Sequence, residues 1–360
     1  MNCKIVYLES SYPINTRSQR IIDSLVDNNI HVCSWDRSSE HIDINCDNYS
    51  VYKTPNVGYG NKFLKLASVF KYANFYLNVI KKKKPEVVIC SHWDMLLIAT
   101  LLKGSEKIVY DNVDIPEFKI GFIERLIVLL ERAALKRVEV SLLASRFYLP
   151  LYSGFKCIVL ENLPVSVKKE NVQRSIPNKG IKIGFVGSVR HYELLVNLIN
   201  VTKSDVNLQL HIYGGGIAKD KLESYCEENR ICNVFFHGKF KYDEISFIYD
   251  EIDILWAAYP YKSRNVKYAI SNKFYESIFY SIPCLFSENT KLGDYVTENK
   301  LGVALDPYSI DSINHAIIKI INDYSAIHEN LTLVKSEEDI SWSKNERALK
   351  DLMMGITEND

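Results

Sequence analysis

Residues 259–288 read YPYKSRNVKYAISNKFYESIFYSIPCLFSE and follow the short apolar run 254–258, ILWAA. A run of that length, bounded by Tyr and Pro, suits a buried strand. Four basic residues, Lys262, Arg264, Lys267 and Lys273, then lead into a helix that opens at Ser271. The pattern predicts this helix over 272–280 and a second strand over 284–287. Strand, helix and strand in sequence imply parallel pairing through a crossover. The charges carry a second message. Cations before a helix N-terminus add to its dipole, which costs stability unless an anion sits there. The stretch therefore predicts a phosphate site, not only a fold. Glu276 lies three residues after Lys273, and its sequence position allows two uses. One is a surface ion pair of little worth; the other is a carboxylate that accepts hydrogen bonds from a ribose diol.

Outward from this stretch the alternation continues in both directions. Strands are predicted at 181–189, 208–213, 234–238 and 302–305, with helices at 193–202, 218–228, 243–249 and 309–324. The N-terminal half predicts strands at 4–8, 31–35, 86–90, 107–110, 138–143 and 157–160. Its helices fall at 17–28, 62–84, 95–102 and 120–136, the second stopping before Pro85, which cannot continue it. Between the halves, residues 164–180 (PVSVKKENVQRSIPNKG) hold two Pro, one Gly and four Lys/Arg without an apolar period. That composition reads as a linker. A final segment, SWSKNE from 341, starts one more helix with a Ser cap. The expected organisation is an N-terminal domain (1–163), a linker (164–180), a C-terminal domain (181–340) and a last helix with tail (341–360). Each domain is a doubly wound α/β sheet with its binding crevice beyond the strand C-termini.

Composition narrows the function classes. The 360 residues are 47% hydrophobic, with 23 Tyr and 15 Phe, which excludes disorder as the main state. Lys and Arg number 44 and so do Asp and Glu, so no global field gathers nucleic acid. The longest apolar run, 126–130, is far below the ~18 residues that span a bilayer. The opening MNCKIVYLESSYP lacks the apolar stretch and cleavage site of a signal peptide. Eight scattered Cys without a CxxC pair read as reduced thiols, with no zinc site. A cytoplasmic protein is expected; oligomeric state is left open.

Two glycine turns mark further candidates. Gly184 and Gly187 in IGFVGSVR end a predicted strand, and Arg190 follows. Such a turn brings backbone N–H groups to an anion, although tight turns also use Gly for conformation alone. Gly214, Gly215 and Gly216 follow the next strand in the same way. Asp111, Asp114 and His92 fall at or just after strand C-termini, where each is a candidate catalytic group or a plain loop residue. His237 ends a strand near the second turn.

Charge is uneven along the chain. Residues 1–165 hold 21 Lys/Arg against 17 Asp/Glu, leaving 23 against 27 for the remainder. Most of the excess is in 62–84, KFLKLASVFKYANFYLNVIKKKK, with seven Lys (Lys62, Lys65, Lys71, Lys81, Lys82, Lys83 and Lys84) and no acid. Phe63, Leu66, Phe70, Ala73, Leu77 and Ile80 mark one helix face, expected to be core. Val69, Tyr72, Tyr76 and Val79 mark a second, expected with the lysines to dock on anionic lipid. The closing lysines also compensate a helix C-terminus.

The passage SNKFYESIFYSIPCLFSE resembles the donor-binding segment of glycosyltransferases of the GT-B fold, close to glycosyltransferase family 4. Ser271-Asn272-Lys273, Glu276, Ser281 and Pro283 stand at that family's motif positions. GFVGSVR, LHIYGGG, VFFHGKF and EIDILWAAYP resemble further landmarks, as do IVYDNVDIPE, ERLIVLLERAALKRVEVSLLASRF and the terminal SWSKN. The resemblance implies the GT-B fold, two Rossmann-like domains facing a cleft with the last helix crossing back to the N-terminal one. It implies transfer of a sugar from a nucleoside-diphosphate sugar, UDP first among the donors, without a cofactor or a required metal. Glu276 would bind the ribose. Gly187, Arg190, Gly214, Gly215, Lys273 and the amides near Ser271 and Asn272 would face the nucleotide's phosphates. Departures are clear: the family's second glutamate falls at Tyr268, and the histidine of its N-terminal motif at Val113. The family's bacterial surface-polysaccharide members suggest a lipid-linked saccharide acceptor at the inner face of the plasma membrane, for capsule, O-antigen or exopolysaccharide. Competing readings are a nucleotide-sugar epimerase of the same fold and a two-lobed binding protein. A nicotinamide enzyme is disfavoured, because SSYPINTRS stands where GxGxxG would follow the first strand.

Overall fold

A computed structural model describes residues 4–37, 47–54, 62–118, 120–165, 174–241 and 244–357, with side chains from residue 68 onward in the helix that starts at 62. The chain divides into two units, Met1–Asn162 with Ser343–Asp360, and Leu163–Trp342. In chain order the first contains β1 (Ile5–Glu9), α1 (Thr16–Ser24), β2 (Ile30–Asp36), β3 (Tyr49–Lys53), α2 (Lys62–Lys83) and β4 (Val87–Ser91). It continues with α3 (His92–Leu101), β5 (Lys107–Asn112), α4 (Gly121–Leu135), β6 (Val140–Leu143) and β7 (Cys157–Val159). The seven strands are parallel in the order β3-β2-β1-β4-β5-β6-β7. β1, β2 and β4 are buried along their whole length, as parallel strands covered on both faces must be.

The second unit repeats the plan. It runs through β8 (Ile181–Val186), α5 (Tyr192–Ser204), β9 (Leu208–Tyr213), α6 (Lys219–Glu228), β10 (Val234–Gly238), α7 (Ile245–Asp250) and β11 (Ile254–Ala257). α8 (Arg264–Tyr268), α9 (Asn272–Phe279), β12 (Cys284–Ser287), α10 (Lys291–Glu298), β13 (Val303–Leu305), α11 (Ile310–Asn322) and α12 (Tyr324–Glu337) complete it. Its parallel sheet has the order β10-β9-β8-β11-β12-β13. The last helix, α13 (Trp342–Thr357), returns the chain to the first unit. There Leu349 and Met353 are fully buried, Asn345 donates its amide to the Glu161 carbonyl, and Lys107 Nζ reaches Ile356 O at 2.7 Å. This is the two-sheet GT-B fold.

The structure adds elements that periodicity did not predict: β3, α8, α10 and α12. It also exchanges the faces of α2. Tyr72 and Tyr76 are fully buried and Val79 nearly so, whereas Phe70 is 69% exposed. The Tyr72 ring stacks on Trp35 at 4.9 Å, and its hydroxyl donates to the carbonyls of Glu9 and Cys33, both at 3.2 Å. The second face is therefore core, with the Tyr72 ring packed on β2 and its hydroxyl bonded to carbonyls of β1 and β2.

Beside this helix, His31 on β2 is buried and its Nε2 meets Ser50 Oγ at 2.8 Å. Burial, then Lys83 and Lys82, push its pKa down to about 4. A folded pKa below the unfolded ~6.5 favours the neutral ring, so this stability is present above pH 6.5 and lost as pH falls toward 4. His31→Phe keeps a ring there and should flatten that loss. Melting curves of both proteins from pH 7 to 4.5 check this, and parallel profiles would refute it.

Candidate functional site

The site in the second unit is assembled by the N-terminus of α9 and two strand-end turns. Ser271 caps α9, its hydroxyl accepting from Lys273 N at 3.2 Å. One turn further, Lys273 Nζ lies 2.6 Å from Glu276 Oε2, with side chains only 11% and 9% exposed. The sequence allowed a weak surface pair here; the observed pair is nearly buried. Tyr249 of α7 donates its hydroxyl to the same carboxylate oxygen, while its ring stacks on Tyr280 at 4.5 Å. Glu276 Oε1 accepts no hydrogen bond from the described residues. Burial works against the charge on Lys273, but Glu276 and then Tyr259 raise its pKa above the ordinary lysine value. Burial, and then Glu276, hold the Tyr249 phenol well above its usual range, so it donates. The arrangement fixes the carboxylate through one oxygen, Oε2.

The turn after β8 adjoins this pair. Gly187 has φ +144°, and a Cβ there would sit 3.8 Å from Lys273 Cε. Gly214 has φ +139°, and a Cβ there would lie 1.8 Å from the Gly187 carbonyl oxygen, so no other residue fits. The two glycine turns are thus pressed together at adjacent strand ends. Gly187 N donates to Tyr213 O (2.8 Å), Gly214 N to Gly238 O (2.6 Å) and Val189 N to Gly215 O (3.0 Å). These glycines hold the strand ends in contact, which is a use the sequence reading had left open. Arg190 is exposed on the same turn, its Nε bonded to Ser188 Oγ at 2.8 Å. Asn272 is the exposed first residue of α9.

Three residues enter that sequence reasoning missed. Tyr249 lies on another helix, 27 positions before its partner, and nothing in the sequence links the two. Tyr259 places its hydroxyl 3.5 Å from Ser271 Oγ. His191 packs edge-on against that ring at 6.2 Å, with its pKa lowered by burial and then by Arg190. Beside them a cavity of about 210 Å³ opens between Tyr259, Val266, Ala269, Ser271 and Phe286. Tyr268, where the resemblance expects a glutamate, ends α8.

In the first unit the three proposed catalytic candidates have different surroundings. Asp111 is fully buried; Arg17 donates to its Oδ1 through Nε (2.9 Å) and Nη2 (2.7 Å), and Tyr7 donates to Oδ2 (3.0 Å). Asp114 is exposed on the loop after β5. His92 starts α3 with φ +68°, in the left-handed region that costs of order 1–3 kcal/mol for a non-glycine residue. Its Nε2 lies 3.9 Å from Glu9 Oε1. Glu9 is fully buried at the end of β1, and burial raises its pKa against the opposing effects of His92 and Ser18. Histidine beside a buried carboxylate is an arrangement that can take a proton.

Residues 166–336 match the family described as Glycosyl transferases group 1, nearly the whole of the second unit. Similar solved structures span both units. Sucrose-phosphate synthase from Thermosynechococcus elongatus has a TM-score of 0.74 at 12% identity, over 99% of this chain and 100% of that one. WaaG, a glycosyltransferase involved in lipopolysaccharide biosynthesis, has a TM-score of 0.67 at 16% identity, over 96% and 98%. Anabaena HepE in complex with UDP has a TM-score of 0.69 at 12% identity, over 98% and 100%. No curated protein matches the chain in sequence.

Proposed function

We propose that this chain is a glycosyltransferase that moves a sugar from a nucleoside-diphosphate sugar, with UDP as the nucleotide, to an acceptor hydroxyl. The observation that carries the reading is the convergence of Gly187, Lys273 and Glu276 at the capped start of α9. Its partners agree with it: the family match covers this unit, and the similar HepE was solved with UDP. In this reading Glu276 Oε1 accepts the ribose hydroxyls. Lys273, Arg190 and the amides at Ser271 and Asn272 face the diphosphate, with Gly187 beside Lys273, and Gly214 and Gly215 letting the two turns meet at that point. As the sugar–phosphate bond breaks, negative charge grows on the leaving diphosphate, and these fixed positive groups stabilise it without a metal being assigned. On the acceptor side the reading gives proton acceptance to His92 beside Glu9. Asp111 commits both oxygens to Arg17 and Tyr7, and Asp114 lies exposed on the loop after β5.

The acceptor we propose is a lipid-linked saccharide in bacterial surface-polysaccharide synthesis, handled at the inner face of the plasma membrane. Exposed Lys71, Lys81, Lys82 and Lys84 and half-exposed Lys83 support an anionic surface as partner. The side chains of Lys62 and Lys65 lie outside the described residues. The direct test is a thermal-shift panel of UDP, GDP, CMP, ADP, dTDP and NAD. UDP should raise the melting temperature by several degrees at saturating concentration, as ligand binding to the native state requires. Stabilisation by NAD alone would overturn the transferase reading.

A further inference from the structure

Among the described residues, Ile120, Phe122, Ile123, Leu126, Leu129 and Leu130 are 37–76% exposed, and all fall in eleven consecutive positions at the start of α4. An amphipathic helix normally turns such residues to the core. Here the buried positions of α4 are Glu131, Ala134 and Leu135. Glu131 is held inside by hydroxyl donors from Tyr110 and Tyr152, each at 2.9 Å. The polar anchor thus faces inward and the apolar stripe outward.

On a helical wheel Phe122, Leu126, Leu129 and Ala133 share one line, flanked by Ile123 and Leu130. Arg125, Arg132 and Lys136, at steps of seven and four, form a parallel cationic line on one flank, all exposed. Arg137 follows. Between 121 and 138 the acids are Glu124, partly buried and bonded to Phe118 N, and the buried Glu131. An exposed apolar stripe with a one-sided cationic border and no exposed acid matches the interface of an anionic bilayer. A second copy of the chain would offer the same cations and oppose it. No helix among the described residues is long and apolar enough to cross a membrane, so the contact is with the surface.

We infer that α4, and not α2, is the face that inserts into anionic lipid, with Phe122, Leu126 and Leu129 in the acyl boundary and Arg125, Arg132 and Lys136 on headgroup phosphates. The inference rests on the proposed membrane partner for its purpose, and on the α4 surface for its evidence. It is tested with the full chain by co-sedimentation on vesicles of phosphatidylglycerol and phosphatidylcholine in equal parts, and of phosphatidylcholine alone. Wild type should sediment with the anionic vesicles only. Phe122→Ser/Leu126→Ser/Leu129→Ser should lose partitioning at least about tenfold, and Arg125→Gln/Arg132→Gln/Lys136→Gln should lose the preference for anionic lipid. Lys81–Lys84 changed to Gln should cost less than either. Circular dichroism and the UDP thermal shift of the serine variant should match wild type. Unchanged sedimentation of the serine variant overturns the inference. So does a wild-type dimer that this variant dissociates without altering lipid binding. Vesicle binding by a protein that no nucleotide stabilises upholds the docking face and overturns the transferase reading.

Discussion

Glu276→Gln is expected to weaken UDP binding by about a hundredfold while leaving the protein folded. The network decides how the amide must sit. Tyr249 OH and Lys273 Nζ both donate to Oε2, so the amide oxygen takes that place and the NH₂ takes the place of Oε1. A donor then stands where a ribose diol needs an acceptor. Charge-assisted hydrogen bonds are worth about 1.5–3 kcal/mol each, and a loss near 3 kcal/mol is about two decades in affinity. The same change leaves Lys273 without its counterion in a nearly buried site, so a fall in melting temperature is expected as well. Tyr249→Phe separates the two effects. It removes a hydroxyl that touches the carboxylate but keeps the ring on Tyr280, so stability should drop by about 1 kcal/mol. UDP affinity should then change far less than in Glu276→Gln. Calorimetric titration of both variants provides the check. UDP affinity in Glu276→Gln within about threefold of wild type would remove the ribose assignment.

The start of α9 was legible because its signals are local. A capping Ser, cations where the dipole does not want them and a carboxylate three residues on all lie within one short stretch. The alternation of strands and helices was legible for the same reason, since the period of a buried strand does not depend on distant residues. What stayed hidden depends on contacts between distant segments. Tyr249 reaches Glu276 from another helix, and nothing in IYDEID announces it. β3 is half-buried at the sheet edge, so its YSVYK lacks the apolar run that marks inner strands. α8 carries two of the four basic residues that precede Glu276, Arg264 and Lys267, on little more than one turn of helix, too short for a periodic pattern.

Two helices show how a buried hydrogen bond decides which face turns inward. On α2 two faces are apolar, and periodicity cannot rank them. The choice falls to the face whose Tyr72 can donate to the Glu9 and Cys33 carbonyls. On α4 the run LIVLL reads as core in any sequence. It is turned outward because Glu131 is drawn in by two tyrosine hydroxyls. In both cases a hydrogen-bond demand deep in the sheet overrides hydrophobic pattern, as the cost of an unsatisfied buried group would lead one to expect. The membrane inference follows from that override.

The same reasoning sets the second large effect. Arg17→Ala should destabilise the first unit by about 3–5 kcal/mol, the usual result of removing one partner from a buried ion pair. Arg17 is 3% exposed and joins α1 to β5 through Asp111, and to the chain after β7 through the Leu160 carbonyl. Truncation leaves the Asp111 charge buried with the Tyr7 hydroxyl as its remaining donor. For domains of roughly 150–250 residues each kcal/mol moves the midpoint by about 2–4 °C, so a fall of about 10 °C is expected. Hydrogen exchange should locate the loss in β1, α1 and β5. The pair should also be strongly coupled: with Arg17→Met, adding Asp111→Asn removes the stranded charge and should recover part of the stability. Additive losses in that cycle would mean the ion pair is not what holds these elements. Asp111→Asn by itself then bears on catalysis. A residue that positions Arg17 should lose stability in proportion to activity, whereas a proton acceptor should lose turnover at unchanged melting temperature. The geometry predicts the first outcome for Asp111 and the second for His92→Gln.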